Sequence, residues 1–148
     1  MFASIDTACC PVVVDGAHGL PPADLMNLRV LSYNVLLPNS KDGWWIYKYF
    51  DANVPTEART WAHRSALLQA QLLGAGADVI CLQEVSPESF AQDFAFLTAA
   101  GYGHELLNKG RMRCATFFKS DRFELRHSFC KDRTLTTELC PLRERGED

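Results

Sequence analysis

The stretch DVICLQEV, Asp78 to Val85, decides how this chain is read. Val79, Ile80, Cys81 and Leu82 form an unbroken, β-prone apolar run, the pattern of a strand buried on both faces. Gln83 and Glu84 then interrupt it before Val85. A carboxylate at the end of a buried strand must be neutralised, exposed or bound to something. Glu84 therefore caps the next helix, pairs with an arginine, or holds a ligand, and the pattern alone leaves these open.

Working outward, a second run has the same design. LRVLSYNVLLP, residues 28–38, is rich in Val, Leu and Tyr, passes Asn34 and stops at Pro38. Between the two runs Trp61, Ser65, Leu68 and Leu72 recur at helical spacing, with Leu67 and Leu73 widening the stripe. Thr56 is the expected N-cap and Gly74 the expected residue just past the end. After Val85, SPESFAQDFAFLTAAG reads as a second helix. Ser86 caps it, Pro87 and Glu88 open it, Gly101 ends it, and Phe90, Phe94 and Leu97 form its buried face. Three strand-like pieces follow, GHELLN, RCATFFKS and RFELRHS, with turns at KGR and SD. This order predicts an α/β fold whose helices cover one face of a sheet if the later strands build a second layer. The strands ending at Asn34 and Glu84 are expected to be parallel neighbours. Their C-terminal ends then share the edge where open α/β sheets bind ligands. An amide and a carboxylate there offer hard oxygen donors, which suit Mg²⁺ together with phosphate oxygens.

Composition narrows the class. The 148 residues can form one domain with a core, and 47% apolar content argues against general disorder. No apolar run is long enough to span a bilayer, and the first residues lack the basic start of a secretory signal. Six cysteines without a CxxC or zinc-finger spacing predict a reduced, intracellular protein, with the cytoplasm as the first expectation. Residues 1–26, with Pro11, Gly16, Gly19, Pro21 and Pro22, are expected to be a disordered leader. Residues 1–108 carry 5 basic and 11 acidic side chains, whereas residues 109–133 carry 8 basic and 3 acidic. That basic segment either attracts phosphate or is the solvated face of a hairpin. The aromatic loop GWWIYKYF, Gly43–Phe50, either stacks bases or packs on the core, with packing favoured.

Four pieces taken together carry a resemblance: LSYNVL (31–36), the helix with Trp61, Arg64 and Leu67 or Leu68, ADVICLQEV (77–85) and CATFFKSDRFEL (114–125). In that order they resemble the first half of the endonuclease/exonuclease/phosphatase superfamily, the DNase I-like fold. The wording is closest to the deadenylase and nocturnin-like branch. The resemblance implies the first half of a four-layer α/β/β/α sandwich, here truncated, and Mg²⁺- or Mn²⁺-dependent hydrolysis of phosphoric esters. It implies Glu84 as metal ligand, Asn34 as the motif asparagine supporting metal and scissile phosphate, and Gln83 as a brace for Glu84. These make Asn34 and Glu84 the catalytic candidates.

The same family carries a GD-N strand and a DH loop, and neither occurs here. His18, His63, His104 and His127 do not stand in their place. Residues 27–133 are therefore expected to be a partial domain with one sheet face uncovered, and 134–148 a charged tail. Two functions follow as expectations. One is the N-terminal part of a metal-dependent phosphodiesterase acting on nucleic acid, RNA ahead of DNA, and inactive as this chain alone. The other is a non-catalytic isoform that works by binding a partner chain or nucleic acid.

Overall fold

The computed structural model describes residues 27–36 and 50–142. The leader 1–26, the aromatic residues 43–49 and the tail residues 143–148 lie outside the described residues. Four strands form one sheet: β1 (Val30–Asn34), β2 (Val79–Val85), β3 (Tyr102–Leu106) and β4 (Arg113–Lys119), in the order β1-β2-β4-β3. β5 (Phe123–Lys131) and β6 (Thr134–Pro141) pair as a separate two-stranded sheet. The helices are α1 (Trp61–Gly74), α2 (Phe90–Asp93) and α3 (Ala95–Ala99).

β1 and β2 run parallel, with Val30 opposite Val79 and Asn34 opposite Gln83, so both C-terminal ends share one edge as expected. β4 is antiparallel to β2 and to β3. Alternation along the central strands divides the core in two. Ile80, Leu82, Ala115 and Phe117 pack with Leu68 and Leu72 of α1 and with Phe90, Phe94 and Leu97. The rings of Phe90, Phe94 and Phe117 form a triangle with centroids 5.5–5.8 Å apart. Val79 and Phe118 bury against Phe123, with Leu125 and Leu139 packed alongside. The architecture is mixed α/β, with helices on one face and the β5–β6 hairpin on the other.

Several expectations change. The hairpin covers the sheet face that was expected to lie open over β2 and β4. Within this sheet the exposed large apolar side chains are on the edge strand β1, at Val30 (48%) and Tyr33 (37%). Residues 134–141 do not begin a tail. Thr-Leu-Thr-Thr-Glu-Leu alternates as a strand does, and Leu135 is buried under it. A two-residue turn at Asp132-Arg133, with Asp132 at φ 52°, joins this strand to β5.

The helix ends also shift. Residues 57–59 wind into a 3₁₀ turn, gripped by Arg59, whose guanidinium donates to the carbonyls of Val54, Asp51 and Ala52. Thr60, not Thr56, then caps α1, accepting from His63 N at 3.3 Å. The left-handed residue past α1 is Gly76 (φ 56°), not Gly74. Leu67 and Leu73 face solvent, and Arg64 takes the half-buried place on the stripe. The second helix is two short ones, broken at Phe94 (φ −116°, ψ 17°). Side-chain bonds hold the break. Trp61 Nε1 donates to Asp93 Oδ1 at 2.7 Å, and Ser89 Oγ donates to Asp93 Oδ2 at 2.5 Å. Ser86 does not cap; its hydroxyl donates to Glu88 Oε2 at 2.9 Å.

Candidate active site

The site grows from an irregularity in β2. Leu82 pairs with Ala115 and Val85 with Arg113, so Gln83 and Glu84 together face the single residue Cys114. This two-against-one count is a β-bulge, a device that re-aims side chains at strand ends. Glu84 takes it up at φ 61°, left-handed backbone that costs a non-glycine residue about 1–3 kcal/mol. Such a cost persists where the surroundings over-determine it. Val35 N donates to the Gln83 carbonyl at 2.9 Å, clamping β1 beside the bulge.

Asn34 and Glu84, 50 residues apart in sequence, meet here: Asn34 Nδ2 donates to Glu84 Oε1 at 3.0 Å. Asn34 is itself fixed, because Leu36 N donates to its Oδ1 at 2.8 Å and Leu36 sits at φ 53°. Behind this bend stands Arg64 of α1, donating to the Val35 carbonyl at 3.1 Å and the Leu36 carbonyl at 3.3 Å. Its guanidinium lies 5.3 Å from the Trp61 ring centroid. A chain of contacts thus runs from α1 through the β1 bend to the carboxylate. Arg64 appeared in the sequence only as part of a motif. The signal was a cation at i+3 from Trp61 and i−4 from Leu68, on the helix's buried stripe, where a charge needs partners.

Gln83 lies elsewhere. Its Nε2 donates to Ser32 Oγ and to the Cys81 carbonyl, both at 3.1 Å, and the bond to Glu84 that was expected of it is made by Asn34. Cys130 and Cys140 are free thiols. His63, His104 and His127 stand apart from the site; His104 packs its ring on Phe90 and Phe117. His18 lies outside the described residues.

The donor set fits a hard divalent cation in part. Glu84 has one oxygen oriented by an amide, and among the described residues no cation pairs with it. Among the same residues no group of three or more His, Cys, Asp or Glu side chains converges. The segment would therefore offer such an ion one carboxylate oriented by an amide, with water and phosphate oxygens needed to complete its shell.

A family model described as the endonuclease/exonuclease/phosphatase family matches residues 31–142, from β1 to the end of β6. The chain belongs to the endonuclease/exonuclease/phosphatase family. It is 33% identical over 127 residues to the CCR4-Not complex 3′-5′-exoribonuclease subunit Ccr4 of Candida albicans, a match covering 76% of this chain and 15% of that protein. It is 32% identical over 117 residues to nocturnin of Drosophila melanogaster, covering 70% and 17%. Among solved structures, ANGEL2, a 2′,3′-cyclic phosphatase, superposes with a TM-score of 0.65 at 26% identity, over 78% of this chain and 38% of its own. The chain thus spans less than a fifth of those two relatives and well under half of the solved domain. No helix among the described residues is long and apolar enough to cross a membrane.

Proposed function

We propose that this segment supplies the metal-binding carboxylate of a phosphoric ester hydrolase, a 3′ exonuclease on RNA, with Glu84 as ligand and Asn34 as its positioning partner. The supporting observation is the 3.0 Å bond from Asn34 Nδ2 to Glu84 Oε1 at the shared C-terminal edge of two parallel strands. A divalent cation at that edge would screen a phosphoryl oxygen and stabilise charge on the leaving oxygen. The chain's own residues hold the carboxylate. The bulge turns Glu84 outward, Asn34 fixes one oxygen, and Leu36 N keeps the amide from flipping. Among the described residues no group of three or more His, Cys, Asp or Glu side chains converges, and the chain contains no GD-N or DH motif. We therefore propose that it does not turn over substrate alone, since losing alignment of the attacking group costs orders of magnitude in rate.

Two measurements test this. With Mn²⁺ as probe, paramagnetic broadening should appear at the Asn34 side-chain amide and at the Val85 and Leu36 N–H groups, and vanish in Glu84→Gln. With Mg²⁺ and an RNA oligomer, the chain should stay at background. A protein carrying this segment together with GD-N and DH motifs should lose at least about 100-fold in kcat on Glu84→Gln. Unchanged hydrolysis by that variant would falsify the assignment.

A second reading is favoured by β1, whose outer edge pairs with no strand among the described residues and whose Val30 and Tyr33 are exposed: the chain acts by binding a partner across that edge. Light scattering tests it. A monodisperse monomer across the micromolar range removes the reading, and a stable association that Val30→Lys abolishes supports it.

A further inference from the structure

An open groove of about 400 Å³ lies between the β3–β4 loop and the β5–β6 turn. Lys109, Arg111 and Arg133 line it with Asp132, over an apolar floor of Leu107 and Met112. The register fixes where it lies. Arg113, the first residue of β4, is opposite Val85, so the loop leaves the sheet one strand away from Glu84, at the same end. Neighbouring strands are about 4.8 Å apart. The β5–β6 turn is drawn to this end because Cys114 Sγ donates to the Arg133 carbonyl at 3.4 Å. The loop wall is shaped too: Arg113 Nε donates to the Gly110 carbonyl at 2.8 Å, and Gly110 bends at φ 89°.

We propose that this groove binds the phosphodiester backbone of a single-stranded polynucleotide beside the Glu84 site, with Arg111 and Arg133 as the principal contacts and Lys109 as a third. The inference deepens the reading of Glu84, on which it rests for the placement of the reacting phosphate. Three cations from two chain segments, set along an open trough, suit a chain of phosphates better than one compact anion. Leu107 is buried beneath them, and Met112 offers a sugar or base an apolar contact. A lipid surface fits less well, since Met112 is the one large apolar side chain that the groove exposes. The +5 balance of residues 109–133 was equally compatible with a merely solvated hairpin. What separates the two is the placement of the cations at the end of the sheet that carries Glu84.

The test is equilibrium binding of a fluorescein-labelled oligoadenylate by the 148-residue chain, without divalent cations, followed by anisotropy as salt rises. Three phosphate contacts predict a slope of log K against log salt of about −2. Arg111→Gln with Arg133→Gln should reduce it to about −0.7 and weaken binding at least about 10-fold at low salt. The Arg111→Lys, Arg133→Lys pair keeps the charge, so it should retain the slope and shows that a loss in the Gln pair is not misfolding. The titration contains no divalent cation, so failure of the metal assignment at Glu84 leaves this result untouched. A flat salt response overturns the proposal, as does an unchanged slope in the Gln pair. So does displacement of the oligomer by inorganic phosphate at equal phosphate concentration, or tighter binding to phosphatidylserine vesicles than to the oligomer.

Discussion

Strand β2 carries an acid at each end, and the fold treats them in opposite ways. Asp78, the residue before its first position, is 3% exposed. It accepts from Arg29 N at 2.9 Å, Lys119 Nζ at 3.0 Å and Arg122 Nη1 at 2.7 Å. Glu84, one residue from its last position, sits on strained backbone with a neutral amide as partner. The first charge is neutralised by the molecule itself. The second is held by an amide, with no cation against it among the described residues. A carboxylate pre-aimed by a bulge and not clamped by an internal cation is what a site for an external cation would require; one clamped by two internal cations is a structural anchor.

The largest expected effect probes the open end. Glu84→Gln keeps an acceptor for Asn34 Nδ2, so stability should move by less than about 0.5 kcal/mol. Metal-induced broadening should nevertheless disappear, and the rate of any active protein containing the segment should fall by at least about 100-fold. If the variant instead melts several degrees lower with metal response intact, Glu84 is an anchor like Asp78 and the contrast collapses.

The closed end should respond in stability and not in metal binding. Burial alone would raise the Asp78 pKa; the Arg29 N–H and the Arg122 and Lys119 side chains reverse this and hold it at about 2. A carboxyl whose pKa is depressed in the folded state contributes stability that is present above its unfolded value, near 3.9. That stability is lost as pH falls through the folded value, so the loss should run from about pH 4 to pH 2. The shift corresponds to about 2–3 kcal/mol. Asp78→Asn should cost about 2–4 kcal/mol at pH 7, because it also leaves Lys119 and Arg122 without their acceptor. Urea midpoints at pH 7, 4 and 2.5 check this. The variant's deficit should shrink as acid removes the parent's advantage; a deficit constant with pH would place the effect in packing rather than charge.

This contrast also marks how far sequence reading reached. Element order, the parallel β1–β2 pair and the meeting of Asn34 with Glu84 were legible, because apolar runs and helical periodicity act over a few residues and constrain topology strongly. The bulge was not. Nothing in QEV distinguishes a regular strand from one with an extra residue, since the bulge is set by pairing with Cys114 across the sheet. Asp78 was read as the flank of a strand, although its partners come from β4 and the loop after it. The break at Phe94 likewise depends on Trp61 reaching Asp93 from another helix, a contact local propensity cannot register. β6 was within reach: its Thr and Leu alternation is a strand signal, outweighed by the charged residues that follow it.

The smallest expected effect asks whether the open end depends on the helix layer. Arg64 donates to the carbonyls of Val35 and Leu36, and the Leu36 N–H in turn fixes Asn34. Arg64→Leu keeps apolar bulk against Trp61 but removes those donors. It should cost about 1–2 kcal/mol, because two carbonyls lose charged partners. As a positioning residue it should also loosen the Asn34 amide, broadening its NH₂ resonances and weakening, not abolishing, the Mn²⁺ response. Arg64→Lys, which can reach one carbonyl but not span both, should fall between parent and Leu variant. A purely structural Arg64 would lower the melting temperature and leave the Asn34 resonances and metal response as they are. That outcome would confine the control of Glu84 to the two strands, with α1 contributing only burial.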